Sequence, residues 1–198
     1  MAIQSLKVTI NGIDSLLQSN PQVVDPFNAH AITLAEAVKI QKKSKTPENT
    51  QRVRELEIDA KIFWDDELGI YAPTSWLVEA IVCNSHGIAK IAKKKARGAV
   101  FATSPKAKLR YQGESRVKSR EDIIGNKDFH LIRVLPQGTV RVCKAIPAFQ
   151  GWSFDSEIEY DDTIISEREL KNIITYAAKY GGFGDFRPTH GRATVEFK

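Results

Sequence analysis

Glycines interleaved with cations and aromatic rings mark the segment from Gly181 to Arg192, which reads GGFGDFRPTHGR. Glycine lets backbone N–H groups approach an anion closely, and an arginine guanidinium offers a planar fork that phosphate oxygens can share. Gly182, Gly184 and Gly191 are therefore candidates for the close approach, and Arg187 and Arg192 for the forks. Phe183 and Phe186 are candidates for stacking on bases, and His190 for stacking or a hydrogen bond. The competing reading is a helix stop followed by a tight turn into a strand, with His190 a neutral spacer. A phosphate loop of the GK[ST] kind is excluded by sequence, and a dinucleotide fingerprint by the helix-to-strand context.

A second signal is charge. The chain has 198 residues and a net charge of +5. Between Lys90 and Arg120 stand Lys90, Lys93, Lys94, Lys95, Arg97, Lys106, Lys108, Arg110, Arg116, Lys118 and Arg120, against the single acid Glu114. The remainder is then net acidic. A basic segment on an acidic body is the footprint of a polyanion site, because phosphate contact releases condensed counterions. A solvated basic loop without a ligand is the alternative.

Other chemistry is sparser. His30, His86, His130 and His190 lack metal-ligand spacing with one another or with cysteine, so neither metal nor cofactor is expected. Asp65, Asp66 and Glu67 are consecutive, which favours a turn with solvated carboxylates. His30 follows a helix cap and reads first as a surface or capping residue. Cys83 and Cys143 lack CxxC spacing and read as buried reduced thiols. No apolar run approaches the roughly 18 residues of a membrane span, and MAIQSLKVTI lacks a charged, apolar leader, so a cytoplasmic location is expected.

The elements that must position these residues follow from periodicity. Ser5–Ile10 alternates as a first strand, and Leu16 and Leu17 extend or follow it. Asn28 caps a helix to about Ser44 with Ile32, Ala35 and Val38 at core spacing. Thr46-Pro47 starts a second helix ending near Phe63. Pro73-Thr74-Ser75 starts a third, which Gly87 kinks or divides. Gly98–Gln112 suggests a basic hairpin with arms at Ala99–Ala102 and Lys106–Tyr111. Thr139–Ile146 and Trp152–Tyr160 alternate and are expected to pair antiparallel across Pro147–Gly151. Ser166 and Glu169 form a capping box for an amphipathic helix that Gly181 stops, and Ala193–Phe197 is a closing strand. Of the larger aromatics, Phe27, Trp64, Trp76, Phe149, Trp152 and Phe183 are mostly expected in the core.

The order strand, helices, strand, strand, helix, strand is that of a split βαβ unit. It predicts an α+β, ferredoxin-like (RRM-like) antiparallel sheet in a single domain, 1–198, with helical and basic-loop insertions at about 19–69 and 97–136. The Gly181–Arg192 loop resembles the C-terminal glycine-rich loop of the RAMP superfamily, the ferredoxin-like RNA-binding proteins of CRISPR effector complexes. Tyr71-Ala-Pro73-Thr-Ser75-Trp-Leu-Val-Glu-Ala80-Ile is similar to the start of the first core helix in that superfamily's backbone-subunit branch. The WDDELG turn and GDxRPxxGR loop resemble a family of uncharacterised phage and prophage proteins still more closely.

The resemblance implies a sequence-tolerant binder of single-stranded RNA or DNA, assembling as a homo-oligomer or filament along the strand, phage-encoded, with no catalytic residue. It implies two alternatives. One is a metal-independent endoribonuclease using His30, since some RAMP nucleases use an early histidine and related backbone subunits use a loop aspartate, here Asp25. The other is a protein-binding mimic of a CRISPR subunit.

Overall fold

A computed structural model describes residues 3–198; Met1 and Ala2, part of the segment read as leaderless, lie outside the described residues. In chain order the elements begin with β1 (Ile3–Gly12), β2 (Leu16–Leu17), α1 (Ala29–Lys43), α2 (Pro47–Lys61), β3 (Trp64–Asp65) and β4 (Gly69–Pro73). Then come α3 (Ser75–Ala89), α4 (Lys93–Ala99), β5 (Val100–Ala102), β6 (Lys106–Lys108) and α5 (Arg120–Ile124). The chain closes with β7 (His130–Gln137), β8 (Val140–Phe149), β9 (Ser153–Asp161), α6 (Glu167–Tyr176) and β10 (Ala193–Phe197). The described residues form two compact units, one from residues 3–16, 70–112 and 149–198, the other from 17–69 and 113–148. Among the described residues no helix is long and apolar enough to cross a membrane.

The first unit carries a four-stranded antiparallel sheet in the order β10-β1-β9-β5. With α3 between β1 and β5 and α6 between β9 and β10, that order is the ferredoxin-like one, and the fold is α+β. Period-two alternation turns Leu6, Val8 and Ile10 of β1 and Phe154, Ile158 and Tyr160 of β9 to one face, where all are buried. Leu77, Ala80 and Ile81 of α3 and Leu170, Ile173 and Ile174 of α6 are buried as well. The capping box holds the start of α6: Ser166 N–H donates to Glu169 Oε2 at 3.0 Å, and Glu169 N–H to Ser166 Oγ at 3.4 Å. Gly87 leaves α3 unbroken, and Lys90, at φ 60°, ends it.

Two strand pairings differ from the sequence expectation. Thr139–Ile146 does not pair with β9, because both edges of β9 are taken, by β1 and β5. β8 pairs instead with β7 in the second unit, across the two-residue turn Gly138-Thr139. The second strand of the ferredoxin-like order is therefore Val100–Ala102. The expected basic hairpin also dissolves: β5 pairs with β9, whereas β6 pairs with β4. Thr74 N–H reaches Pro105 O at 3.1 Å and fixes the turn that separates the two arms.

In the second unit α1 packs on α2. Asn28 caps α1 through His30 N–H at 2.9 Å, and Thr46 caps α2 through Asn49 N–H at 3.2 Å. Val53, Leu56, Ile58 and Ala60 of α2 are buried, but no side chain of α1 is. Ile32 and Ala35, expected in a core, are exposed, because α2 and the turn at Pro21–Val24 cover one side of α1 only. Phe27 is exposed too, whereas Phe149, Trp152 and Phe183 are buried as expected. Cys83 and Cys143, expected to be buried, are exposed. Cys143 lies where the β7–β8 hairpin runs past its core, beside the exposed Val134.

A buried carboxylate ties this unit together. Glu57, 2% exposed, accepts from Ala145 N–H at 2.6 Å and pairs with Lys144 at 2.7 Å, joining α2 to β8. Removing one partner strands the other, at about 1–3 kcal/mol for an orphaned buried donor. Glu57→Ala is therefore expected to lower stability to urea by about that amount, and Glu57→Gln, which keeps an acceptor for Ala145, by less.

Candidate nucleic-acid interface

The basic segment divides between the two units. Lys93, Lys94 and Lys95 are exposed on α4, and with Lys90 they make no ion pair among the described residues. Arg97 pairs with Glu79 at 2.9 Å, both well exposed, a contact of the kind worth about 0–1 kcal/mol. On β6, alternation buries Ala107 and leaves Lys106 and Lys108 exposed, with the Lys106 ammonium 5.0 Å from the Tyr71 ring centroid. Arg116 and Lys118 are exposed in the second unit. Arg120 is not a free fork: its Nε donates to Asp59 Oδ1 at 2.5 Å and its Nη2 to Asp59 O.

Registers show how the first unit's share is laid out. Val100 lies opposite Tyr160, Ala102 opposite Ile158, and Arg110 opposite Ser153. The chain from α4 to Arg110 thus follows β9 from one end to the other, roughly 23 Å at about 3.3 Å per residue. This edge is the line of exposed cations.

The glycine-rich loop sits at the far end of the sheet from α4. It leads into Ala193, opposite Gly12 at the end of β1, on the row next to Thr194, Asn11, Ser153 and Arg110. Its neck is a packing device. Phe183 N–H donates to Gly191 O at 2.8 Å, Gly191 N–H to Ser15 O at 3.0 Å, and Gly182 N–H to Ala177 O at 2.8 Å. Phe183, a stacking candidate by sequence, is fully buried, edge-on to Trp152 and Phe154 at 6.3 and 5.8 Å. Arg192, expected to contact phosphate, donates Nε to Asp14 at 2.8 Å. His190 Nδ1 lies 2.9 Å from Ser15 Oγ.

What remains outward is Arg187, exposed and without a hydrogen bond among the described residues, with Gly184 and Phe186 half-buried beside it. Both Gly184 (φ 73°) and Phe186 (φ 56°) are left-handed, a conformation that costs a non-glycine residue about 1–3 kcal/mol. An open cleft of about 490 Å³ is lined by Tyr180, Gly181 and Gly184–Pro188. Tyr176 and Tyr180, four residues apart, are 43% and 56% exposed with ring centroids 5.0 Å apart. Their signal in the sequence is two aromatic rings on the polar side of an amphipathic helix.

On the open face of the sheet, β9 is acidic. Alternation that buries Phe154, Ile158 and Tyr160 sends Asp155, Glu157, Glu159 and Asp161 outward. Cross-strand hydroxyls hold two of them: Thr9 donates to Asp155 at 2.6 Å and Ser5 to Glu157 at 2.5 Å. The Arg110 guanidinium, 2.7 Å away, and the Thr9 hydroxyl hold the Asp155 carboxyl down at about 2. The face through which RRM-type sheets stack on bases here carries these carboxylates along β9, with Lys7 opposite Glu157, Lys198 3.4 Å from Asp155 and the exposed Phe101 opposite Glu159.

In the second unit His30 Nδ1 lies 2.7 Å from Asp59 Oδ2, and Asp59 also holds Arg120. An open cavity of about 490 Å³ is lined by these three with Arg52 and Glu55 among others. Asp25 caps Phe27 N–H at 3.0 Å, and Asp65 accepts from Glu67 and Leu68 N–H in the expected turn. Among the described residues no three His, Cys, Asp or Glu side chains gather to hold a metal ion.

No protein-family model matches the chain, and no curated protein matches it. Among solved structures, the crystal structure of Thermofilum pendens Csc2 aligns with it at 11% identity and a TM-score of 0.30, over 98% of this chain and 65% of that one. The chain thus spans about two thirds of the structure it matches. A superposition this loose carries no argument about fold or activity.

The loop glycines divide by what surrounds them. A Cβ at Gly191 (φ 78°) would stand 1.8 Å from Phe183 O, whereas one at Gly181 meets nothing within 4 Å. Gly191→Ala is expected to lower the melting temperature sharply and Gly181→Ala to leave it nearly unmoved, as read by circular dichroism.

Proposed function

We propose that this chain binds single-stranded nucleic acid in a sequence-tolerant way, along the β5–β6 edge of its ferredoxin-like unit and across to the glycine-rich loop, rather than on the open sheet face. The observation that carries the reading is the segregation of charge within that unit. Carboxylates line β9 on the sheet face, while among the described residues the ammoniums of Lys90 and Lys93–Lys95 make no ion pair, with Lys106 and Lys108 further along the same edge. A phosphate backbone would be repelled by the face and drawn to the edge. The groups that carry this arrangement are ammoniums, so phosphate contact dominates and sequence preference is weak.

A second reading is favoured by one contact. An imidazole whose Nδ1 is held by a carboxylate presents Nε2 as a general base, and His30 on Asp59 has that arrangement. This reading makes the chain a metal-independent endoribonuclease. Its competitor is a clamp joining α1, α2 and α5.

One titration series and one gel test both. Affinity for a labelled single strand is expected to fall with salt at about −0.7 log units per log unit for each phosphate contact. Replacing Lys93, Lys94 and Lys95 with alanine should shrink that slope by about 2 without moving the thermal transition. Affinity that is indifferent to salt would contradict the interface. Intact RNA after incubation with the parent protein would contradict the nuclease, whereas products that vanish in His30→Ala would establish it.

A further inference from the structure

Beside the loop, the end of α6 carries a feature that phosphate binding alone leaves unexplained. From Ala177 to Gly181 the helix widens into a π-turn, closed by Gly182 N–H on Ala177 O at 2.8 Å. Such turns are rare and frequent at functional sites. Here the turn carries Tyr180 to the rim of the cleft, while Ala177 and Ala178 stay buried. Tyr176 stands behind Tyr180, their rings tilted by 45°. Two neighbouring tyrosines more than two-fifths exposed offer ring surface that a planar partner would cover.

The polar groups around this ring match one class of partner. Arg187 is exposed on the cleft wall and makes no hydrogen bond among the described residues, and the Lys179 ammonium lies 5.4 Å from the Tyr180 ring centroid. Asp185 is the acid of the cleft, and its carboxylate accepts from Phe186 N–H at 2.9 Å. Phe186, at φ 56°, keeps the loop turned so that Arg187 and Pro188 complete the wall. A flat ring beside two cations suits a nucleotide.

We infer that the cleft is a nucleotide subsite: a base of the bound strand stacks on Tyr180, supported by Tyr176, and the adjoining phosphate takes Arg187. Lys179 leaves the ring face for a phosphate oxygen when the base arrives. The inference rests on the proposed nucleic-acid interface and adds to it a contact that recognises bases, not charge. Every base has a π-face, so the subsite does not select sequence.

Fluorescence anisotropy with two labelled strands of equal length and equal phosphate count, one of thymidines and one abasic, isolates the base. The parent protein is expected to bind the thymidine strand about tenfold more tightly, the scale of one stacked base. Tyr180→Ala should erase most of that preference and Tyr180→Phe should keep it, whereas Arg187→Ala should weaken both strands alike. Equal affinity of the parent for the two strands, or a Tyr180→Ala loss shared equally between them, would overturn the subsite while leaving the charged edge standing. Binding of neither strand would overturn the interface and the subsite with it. Tyr180 is exposed, so the variants are expected to keep the parent's thermal transition.

Discussion

The alternation of β9 is the constraint on which the account turns. Phe154, Ile158 and Tyr160 must face α3 and α6 to close the core, and a strand offers no freedom to turn the residues between them the same way. Asp155, Glu157, Glu159 and Asp161 are therefore committed to the opposite face. A slip of one residue would bury four carboxylates and expose the core, so pairing with β1 is strongly specified. The chemistry of the open face follows from the packing of the buried one.

That commitment moves any polyanion to the rim. β9 is bordered by β5, and the chain from Val100 to Arg110 follows it end to end before reaching the row that crosses to the loop. The loop's own role divides in the same way. Gly182, Phe183, Gly191 and Arg192 serve the neck, through Trp152, Phe154, Ser15 and Asp14, while Gly184, Phe186 and Arg187 shape its outer wall. One short sequence thus carries both a structural stop and an exposed surface, the two readings that compete in the sequence alone.

The legibility of the chain follows the locality of its signals. β1, α6 and β10 were readable because their patterns are complete within themselves: alternation, a capping box and a helical stripe. The identity of the second sheet strand was not, because Val100–Ala102 is three residues long and is selected by the free edge of β9, a long-range choice. Thr139–Ile146 alternates better and carries the stronger local signal. Among the cations, residue type and exposure were legible, but the carboxylates that occupy Arg97, Arg110, Arg120 and Arg192 come from 18 to 178 residues away in sequence. Glu57 and the His30–Asp59 contact were hidden for the same reason. Tyr176 and Tyr180 were visible but carried no contrast until the helix placed them beside the cleft.

Photocrosslinking tests the central claim most directly. A single strand carrying 4-thiothymidine at successive positions, irradiated with the protein and digested, should label peptides from Lys93–Arg110 and from the Tyr176–Pro188 segment, with the open-face positions of β9 unlabelled. Labels concentrated on Asp155, Glu157 and Glu159 would place the strand on the sheet face and contradict the account.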